Sequence, residues 1–232
     1  SSPGNVVAVR EVAGEPLYQA YIGSSANPGY RDFAVVAKIV EGKQTVVSLD
    51  INPTSRQIFE NLARNGLIKE FYRAGGRVHQ AGCNGCIGMG QAPASEMISL
   101  RTMPRNFPGR SGTADDQVYL CSPETAAASA LKGRITDPRN LEFDCPRVDV
   151  PDEMVINTAM LQDPGTVGDV ELVKGPNIKD MPKFEPLPDR LEGTVLLNLG
   201  DDVSTDEIMP AGQKVLPYRS NIPAISEFVF VA

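Results

Sequence analysis

Short runs of β-branched and aromatic residues alternate with amphipathic segments between residues 15 and 138, and this alternation limits the fold most strongly. Strands are predicted over residues 17–22, 45–51, 77–80, 97–101 and 117–121. Helices are predicted over residues 30–40, from residues 52–55 to the Asn65-Gly66 pair, over residues 68–74, and from Ser122 to Leu131. Strands and helices that alternate through short connections predict an α/β fold, in which a mostly parallel sheet carries helices on both faces.

Proline residues interrupt residues 139–190, where hydrophobic periodicity is weak. This segment is predicted to be an extended linker, with one short helix or strand at residues 153–161. Residues 191–232 start a further, β-rich unit with a strand at residues 194–199, and a segment of this length buries little core alone. We therefore expect an α/β domain at residues 1–138, a linker at 139–190 and an incomplete domain at 191–232, in a chain that is a fragment of a longer protein.

Composition excludes several classes of function. The net charge is −7 and no block of lysine and arginine occurs, so nucleic acid is not an expected partner. No apolar run approaches the ~18 residues that a membrane span needs, and the N-terminus lacks the pattern of a signal peptide. The four cysteines are therefore expected in a reducing, cytoplasmic compartment. His79 is the only histidine, which leaves little material for a zinc site with several histidines or for a Ser-His-Asp triad.

A glycine-rich turn, Gly82-Cys83-Asn84-Gly85-Cys86-Ile87-Gly88, follows the third predicted strand and carries a C-x-x-C pair. Three interpretations apply: two buried small hydrophobic side chains, a thioredoxin-like redox pair, or half of a metal or iron–sulfur site. The surrounding glycines provide no apolar face and let the backbone approach a bound group closely, so the metal half-site is favoured. Two thiolates are only part of the ligand set of a cluster, so further ligands have to come from elsewhere.

A second loop, Pro104-Arg105-Asn106-Phe107-Pro108-Gly109-Arg110, follows the fourth predicted strand and carries two arginines. Single loop arginines are usually solvated or paired with surface acids. Two of them around a Pro-Gly bend at the end of a strand favour carboxylate recognition, because the planar guanidinium binds a carboxylate through two parallel hydrogen bonds. The turn and the loop together predict a metal centre beside an anionic substrate.

Together the motifs resemble those of the aconitase family, which includes homoaconitase and isopropylmalate isomerase. Gly82-Cys83-Asn84-Gly85-Cys86-Ile87-Gly88 is similar to the cluster signature G-C-x-x-C-[IL]-[GA], and Arg105-Asn106-Phe107-Pro108-Gly109-Arg110 is similar to the substrate loop N-R-N-F-x-G-R. Ser122-Pro123-Glu124 resembles the segment that follows this loop. Ser204-Thr205-Asp206 and Arg219 resemble the start of the mobile swivel domain. The sequence Gly88-Met89-Gly90-Gln91 and the fused swivel segment are most similar to those of bacterial aconitases.

The resemblance implies a hydro-lyase of the tricarboxylic acid cycle that interconverts citrate and isocitrate through cis-aconitate at a [4Fe–4S] cluster held by three cysteines. Cys83 and Cys86 would be two of the cluster ligands, and Arg105, Arg110 and Arg219 would bind carboxylates of the tricarboxylic acid. The catalytic side chains of the family would lie in α/β domains before residue 1 and in the rest of the swivel domain after residue 232. The resemblance thus implies no catalytic residue within this chain, and the chain alone is expected to be inactive.

Two positions depart from the family pattern. Ser25, in Gly23-Ser24-Ser25-Ala26-Asn27, stands where the family has its first cluster cysteine, and Pro104 replaces an asparagine. A serine oxygen is a harder ligand that is seldom ionised, so the cluster is expected to be weak or absent. Three alternatives follow: a cluster-free binding or structural module, a relative of homoaconitase or isopropylmalate isomerase, and a thiol–disulfide protein.

Overall fold

A five-stranded parallel sheet in the order β3-β2-β1-β4-β5 forms the centre of the first of two units, Ser1–Leu161 and Gln162–Ala232. The computed structural model describes residues 5–165, 168, 171–201, 203–210 and 214–231. The strands are β1 (Gln19–Gly23), β2 (Ser48–Asn52), β3 (Arg77–Val78), β4 (Ile98–Arg101) and β5 (Gln117–Leu120). All four strand pairings are parallel, so the predicted α/β class with a parallel sheet is confirmed.

The α-helices of the first unit are α1 (Val9–Val12), α2 (Tyr30–Val40), α3 (Arg56–Arg64), α4 (Leu67–Arg73) and α5 (Pro123–Lys132). Side-chain caps start two of them: Ser55 accepts a hydrogen bond from the amide of Ile58, and Ser122 accepts one from the amide of Thr125. The described residues of this unit also contain the 3₁₀ helices Gly85–Ile87 and Pro138–Asn140. None of the helices in the described residues has the length and apolar character needed to cross a membrane.

The two faces of the sheet differ in character, because successive side chains of a strand point to opposite sides. One face is apolar and packs with the helices in the main core; its members are Ala20, Ile22, Leu49, Ile51 and Leu100. The other face, which we call the polar face, consists of buried polar and charged side chains, namely Gln19, Tyr21, Asp50, Asn52, Ser99 and Arg101. It is covered by the loop that carries the 3₁₀ helix Gly85–Ile87. A loop thus covers the polar face, where the sequence predicted α-helices.

Residues 139–161 belong to the first unit and pack on its core through partly buried side chains that include Phe143, Val148 and Met154. Asn61 in α3 fixes this segment, because its side chain donates to the carbonyl of Val155 at 3.0 Å and accepts from the amide of Val155 at 2.8 Å. The helix or strand predicted at residues 153–161 is not formed.

The second unit contains the short helices α6 (Thr205–Ile208) and α7 (Ile222–Ile225) and the 3₁₀ helices Leu216–Tyr218 and Ser226–Phe228. Its described residues contain no β-strand, so the strand predicted at residues 194–199 is wrong. Val195 and Leu196 are 80% and 94% exposed. β-Branched composition favours extended backbone, but a strand also needs a neighbouring strand to hydrogen-bond, and the described residues supply none here.

Candidate functional site at the carboxyl edge of the sheet

Four loops meet at the carboxyl ends of the parallel strands, following β1, β2, β3 and β4. The amide of Gly23 donates to Thr102 Oγ1 at 2.9 Å, and Arg110 Nη1 donates to the carbonyl of Cys86 at 2.8 Å. Asn84 Nδ2 lies 3.4 Å from Asn52 Oδ1. The loops that contain Ser25, the two cysteines and the two arginines therefore share one edge, which is where open α/β sheets bind their ligands.

The cysteine turn places one thiol at the surface and one below it. Cys83 is exposed, whereas Cys86 is only 2% exposed. Burial and the neighbouring Cys83 thiol raise the pKa of Cys86 to about 11, although the charge of Arg110 acts in the opposite direction. The two sulfurs form a pair in which Cys83 is the accessible member.

Glycines let the turn approach the rest of the site closely. A Cβ atom on Gly85 would lie 2.6 Å from Cζ of Tyr21, and one on Gly88 would lie 2.6 Å from the carbonyl oxygen of Ser111. Gly88 also has φ +83°, a conformation that favours glycine. Neither position has room for a side chain, so the turn lies directly against the polar face on one side and the arginine loop on the other.

The two arginines of the loop have different surroundings. Arg105 is exposed. Arg110 is half-buried and donates to the cysteine turn, while its Nε is buried and has no partner within the described residues. Asn106, between them, donates to the carbonyl of Val118 at 2.6 Å and so anchors the loop to β5. Arg110 thus combines a fixed position beside the thiols with an unused hydrogen-bond donor.

Sequence reasoning did not single out Asp50, a fully buried carboxylate on the polar face. It contacts His79 Nε2 at 3.0 Å and Arg77 Nε at 3.3 Å, and it accepts from Ser48 Oγ at 2.9 Å. Burial by itself raises the pKa of Asp50, but the hydrogen bonds from His79 and Ser48 and the charge of Arg77 outweigh it, so the pKa lies below its usual value. The sequence signal for Asp50 was an acidic residue inside a β-branched run, two residues before the strand ends.

The remaining candidate residues lie in different places. Ser25 is exposed in the loop after β1. Cys121 is packed against the main core, where burial raises its pKa to about 12, and Cys145 is exposed in the segment after Pro138–Asn140. Arg219 follows the 3₁₀ helix Leu216–Tyr218 in the second unit, and its role as a carboxylate ligand stays a prediction.

Comparison with known proteins gives a match over the first unit. The model of the aconitase family (aconitate hydratase) matches residues 7–133. The chain is 42% identical over 142 residues to a 3-isopropylmalate dehydratase large subunit 1 of Methanopyrus kandleri, covering 60% of this chain and 34% of that protein. It is 40% identical over 138 residues to a 3-isopropylmalate dehydratase large subunit 2 of Archaeoglobus fulgidus, covering 58% of this chain and 33% of that protein. The chain thus spans about a third of the length of the curated relatives that it matches.

Proposed function

Because the chain belongs to the aconitase family, we propose that it is part of a hydro-lyase that isomerises a hydroxylated di- or tricarboxylic acid by dehydration and rehydration. The matched residues, 7–133, include all four loops of the candidate site, and this observation carries the proposal. The similar proteins are named 3-isopropylmalate dehydratase. They favour an isopropylmalate-type acid, so the alternative drawn from the sequence is preferred to the citrate–isocitrate reaction of the tricarboxylic acid cycle.

The arginine loop would bind the carboxylates of such a substrate. Arg110 is held beside the cysteine turn and keeps a buried Nε without a partner in the described part of the chain. A carboxylate placed there would satisfy that donor, and charge-assisted hydrogen bonds of this kind are worth about 1.5–3 kcal/mol each. Exposed Arg105, in the same loop, would be the second cation that binds the acid.

The residues present do not fit a [4Fe–4S] cluster held by three cysteines, although members of this family generally carry one. The site offers the thiols of Cys83 and Cys86, with a serine at the position predicted for the third ligand. Among the residues that the structure describes, no group of three or more histidine, cysteine, aspartate or glutamate side chains could hold a metal ion. We therefore assign no reaction step to a cluster, and a cluster-free binding or structural module is the second candidate.

The test uses the full-length protein that contains this chain, purified without oxygen and assayed separately with isopropylmalate and with citrate. Formation of the unsaturated acid, followed by its ultraviolet absorbance, is expected with isopropylmalate. Arg110→Met is expected to abolish it, whereas the matched control Arg64→Met, an exposed arginine at the end of α3, is expected to retain it. Absence of turnover with both acids, before and after anaerobic incubation with iron and sulfide, would refute the proposal and favour the cluster-free module.

A further inference from the structure

We propose that Arg101 is a positioning residue that holds the cysteine turn on the polar face of the sheet and thereby keeps Cys86 buried beside Cys83. The arginine is 0% exposed, at the end of β4, and was not among the residues that the sequence motifs singled out. The inference rests on the proposed function only in treating the turn as part of the site.

The guanidinium of Arg101 joins the sheet to the turn through four hydrogen bonds. On the sheet side, Nε donates to Ser99 Oγ at 3.0 Å and Nη2 donates to Gln19 Oε1 at 2.8 Å. On the turn side, Nη1 donates to the carbonyl of Gly85 at 2.5 Å and Nη2 donates to the carbonyl of Gln91 at 2.7 Å. The two carbonyls lie on either side of Cys86 in the chain, so a single planar group fixes the segment at both ends.

Tyr21 makes a second attachment at the same glycine. Its hydroxyl accepts from the amide of Gly85 at 3.0 Å and donates to Asn52 Oδ1 at 2.6 Å. The ring lies under the guanidinium, with Cζ of Arg101 4.9 Å from the ring centroid. Both backbone groups of Gly85, the residue before Cys86, are therefore held by side chains of the central strands.

The charge of Arg101 is compensated at a distance. Gln19 accepts from Arg101 and donates to Asp50 Oδ2 at 3.1 Å, so it stands between the cation and the buried carboxylate. Burial lowers the pKa of Arg101 to about 10, which leaves it charged at neutral pH. A buried charge is costly, and well-packed apolar side chains often stabilise a core as well or better. Arginine is suited here because its rigid fork presents five donors in one plane, which the lysine ammonium cannot reproduce.

A purely structural role and a positioning role predict different results. If Arg101 only stabilises the sheet, its replacement should loosen the whole unit, including Cys121 in the main core. If it positions the turn, the effect should be confined to Cys86. The four cysteines of the chain, at positions 83, 86, 121 and 145, act as internal reporters of the difference.

The experiment measures the alkylation rate of each cysteine by mass spectrometry in the full-length protein, after iron is removed with a chelator. Arg101→Lys keeps the charge and loses the fork; labelling of Cys86 is expected to rise about tenfold or more, since at least one charge-assisted bond to the turn is lost. Tyr21→Phe keeps the ring and removes one bond to Gly85, so a smaller rise at Cys86 is expected. Arg64→Lys is the matched control and should change nothing.

Unchanged labelling of Cys86 in both variants would overturn the inference, as would an equal rise at Cys121, which indicates general loosening. A Cys86 labelling rate in Arg101→Lys equal to that of the wild type would show that a positive charge alone holds the turn. That result would also overturn the inference. The assay needs no turnover, so failure of the proposed hydro-lyase activity and failure of this inference are separate results.

Discussion

Replacing Gly85 by alanine tests the tight contact between the cysteine turn and the sheet. The new Cβ would lie 2.6 Å from Cζ and 2.8 Å from the hydroxyl oxygen of Tyr21. Ordinary van der Waals contact begins near 3.4 Å, so the turn must move by roughly 0.8 Å to clear Cζ. The Tyr21 ring cannot move away easily, because it is fully buried and its hydroxyl donates a hydrogen bond to Asn52 Oδ1.

The cost follows from what this shift disrupts. Overpacking of a tight interior costs about 1–3 kcal/mol. A shift of this size also lengthens the bond from Arg101 to the Gly85 carbonyl, and a hydrogen bond to a charged group contributes about 1.5–3 kcal/mol. Since the two effects overlap, we expect Gly85→Ala to lower the free energy of unfolding by about 2–4 kcal/mol.

The assay is chemical denaturation of the wild type, Gly85→Ala, Tyr21→Ala and the double variant. If the alanine methyl and the Tyr21 ring collide, the double variant should be more stable than the sum of the two single effects, by at least about 1 kcal/mol. Gly193→Ala is the control, because a Cβ there meets nothing within 4 Å. Additive effects, or a loss below about 0.5 kcal/mol for Gly85→Ala, would refute the close approach of turn and ring.

Three further predictions concern the donor set, the polar face and a helix cap. Ser25→Cys should raise the iron and sulfide retained after anaerobic reconstitution, measured by chemical analysis and visible absorbance; unchanged content would show that the loop after β1 does not supply a ligand. Because the pKa of Asp50 is lowered in the fold, its contribution is present above the ordinary carboxyl pKa of about 3.9 and is lost as pH falls towards the lower folded value. Asp50→Asn should therefore flatten the acid limb of a plot of unfolding free energy against pH, and an unchanged slope would contradict this assignment. Ser122→Ala should cost about 1 kcal/mol in thermal or chemical denaturation, because it removes the cap on the Thr125 amide, and a cost near zero would show that the cap is dispensable.

Helices α2 to α5 and the positions of the five strands along the chain could be predicted from the sequence because local signals specify them. The predicted and observed bounds of α2 coincide at residues 30 and 40, with Gly29 before the helix and Gly42 shortly after it. Strand β2 begins later than predicted, at Ser48, because the amides of Thr45 and Val46 donate to the carbonyls of Ala74 and Ala130 instead of to a neighbouring strand.

The centre of the candidate site could be predicted only in part. The motifs identified the two thiols and the arginine loop, since these residues are adjacent in the chain. The roles of Asp50 and Arg101 depend on partners 29 and 16 positions away, namely His79 and Gly85. Charged side chains are usually exposed in folded proteins. Asp50 and Arg101 are buried here only because the turn folds over the sheet.

Because one face of the sheet is polar, the two faces differ in how well they tolerate amino-acid substitutions. On the helix side, aliphatic residues such as Ile22 and Leu100 can be exchanged for others of similar volume at modest cost. On the opposite side, Arg101 donates to Gln19 and Tyr21 donates to Asn52, so a single replacement leaves a buried donor or acceptor without its partner. Substitutions there should be tolerated only as concerted sets, and a saturation library of β1 would show this as a strict alternation of permissive and intolerant positions.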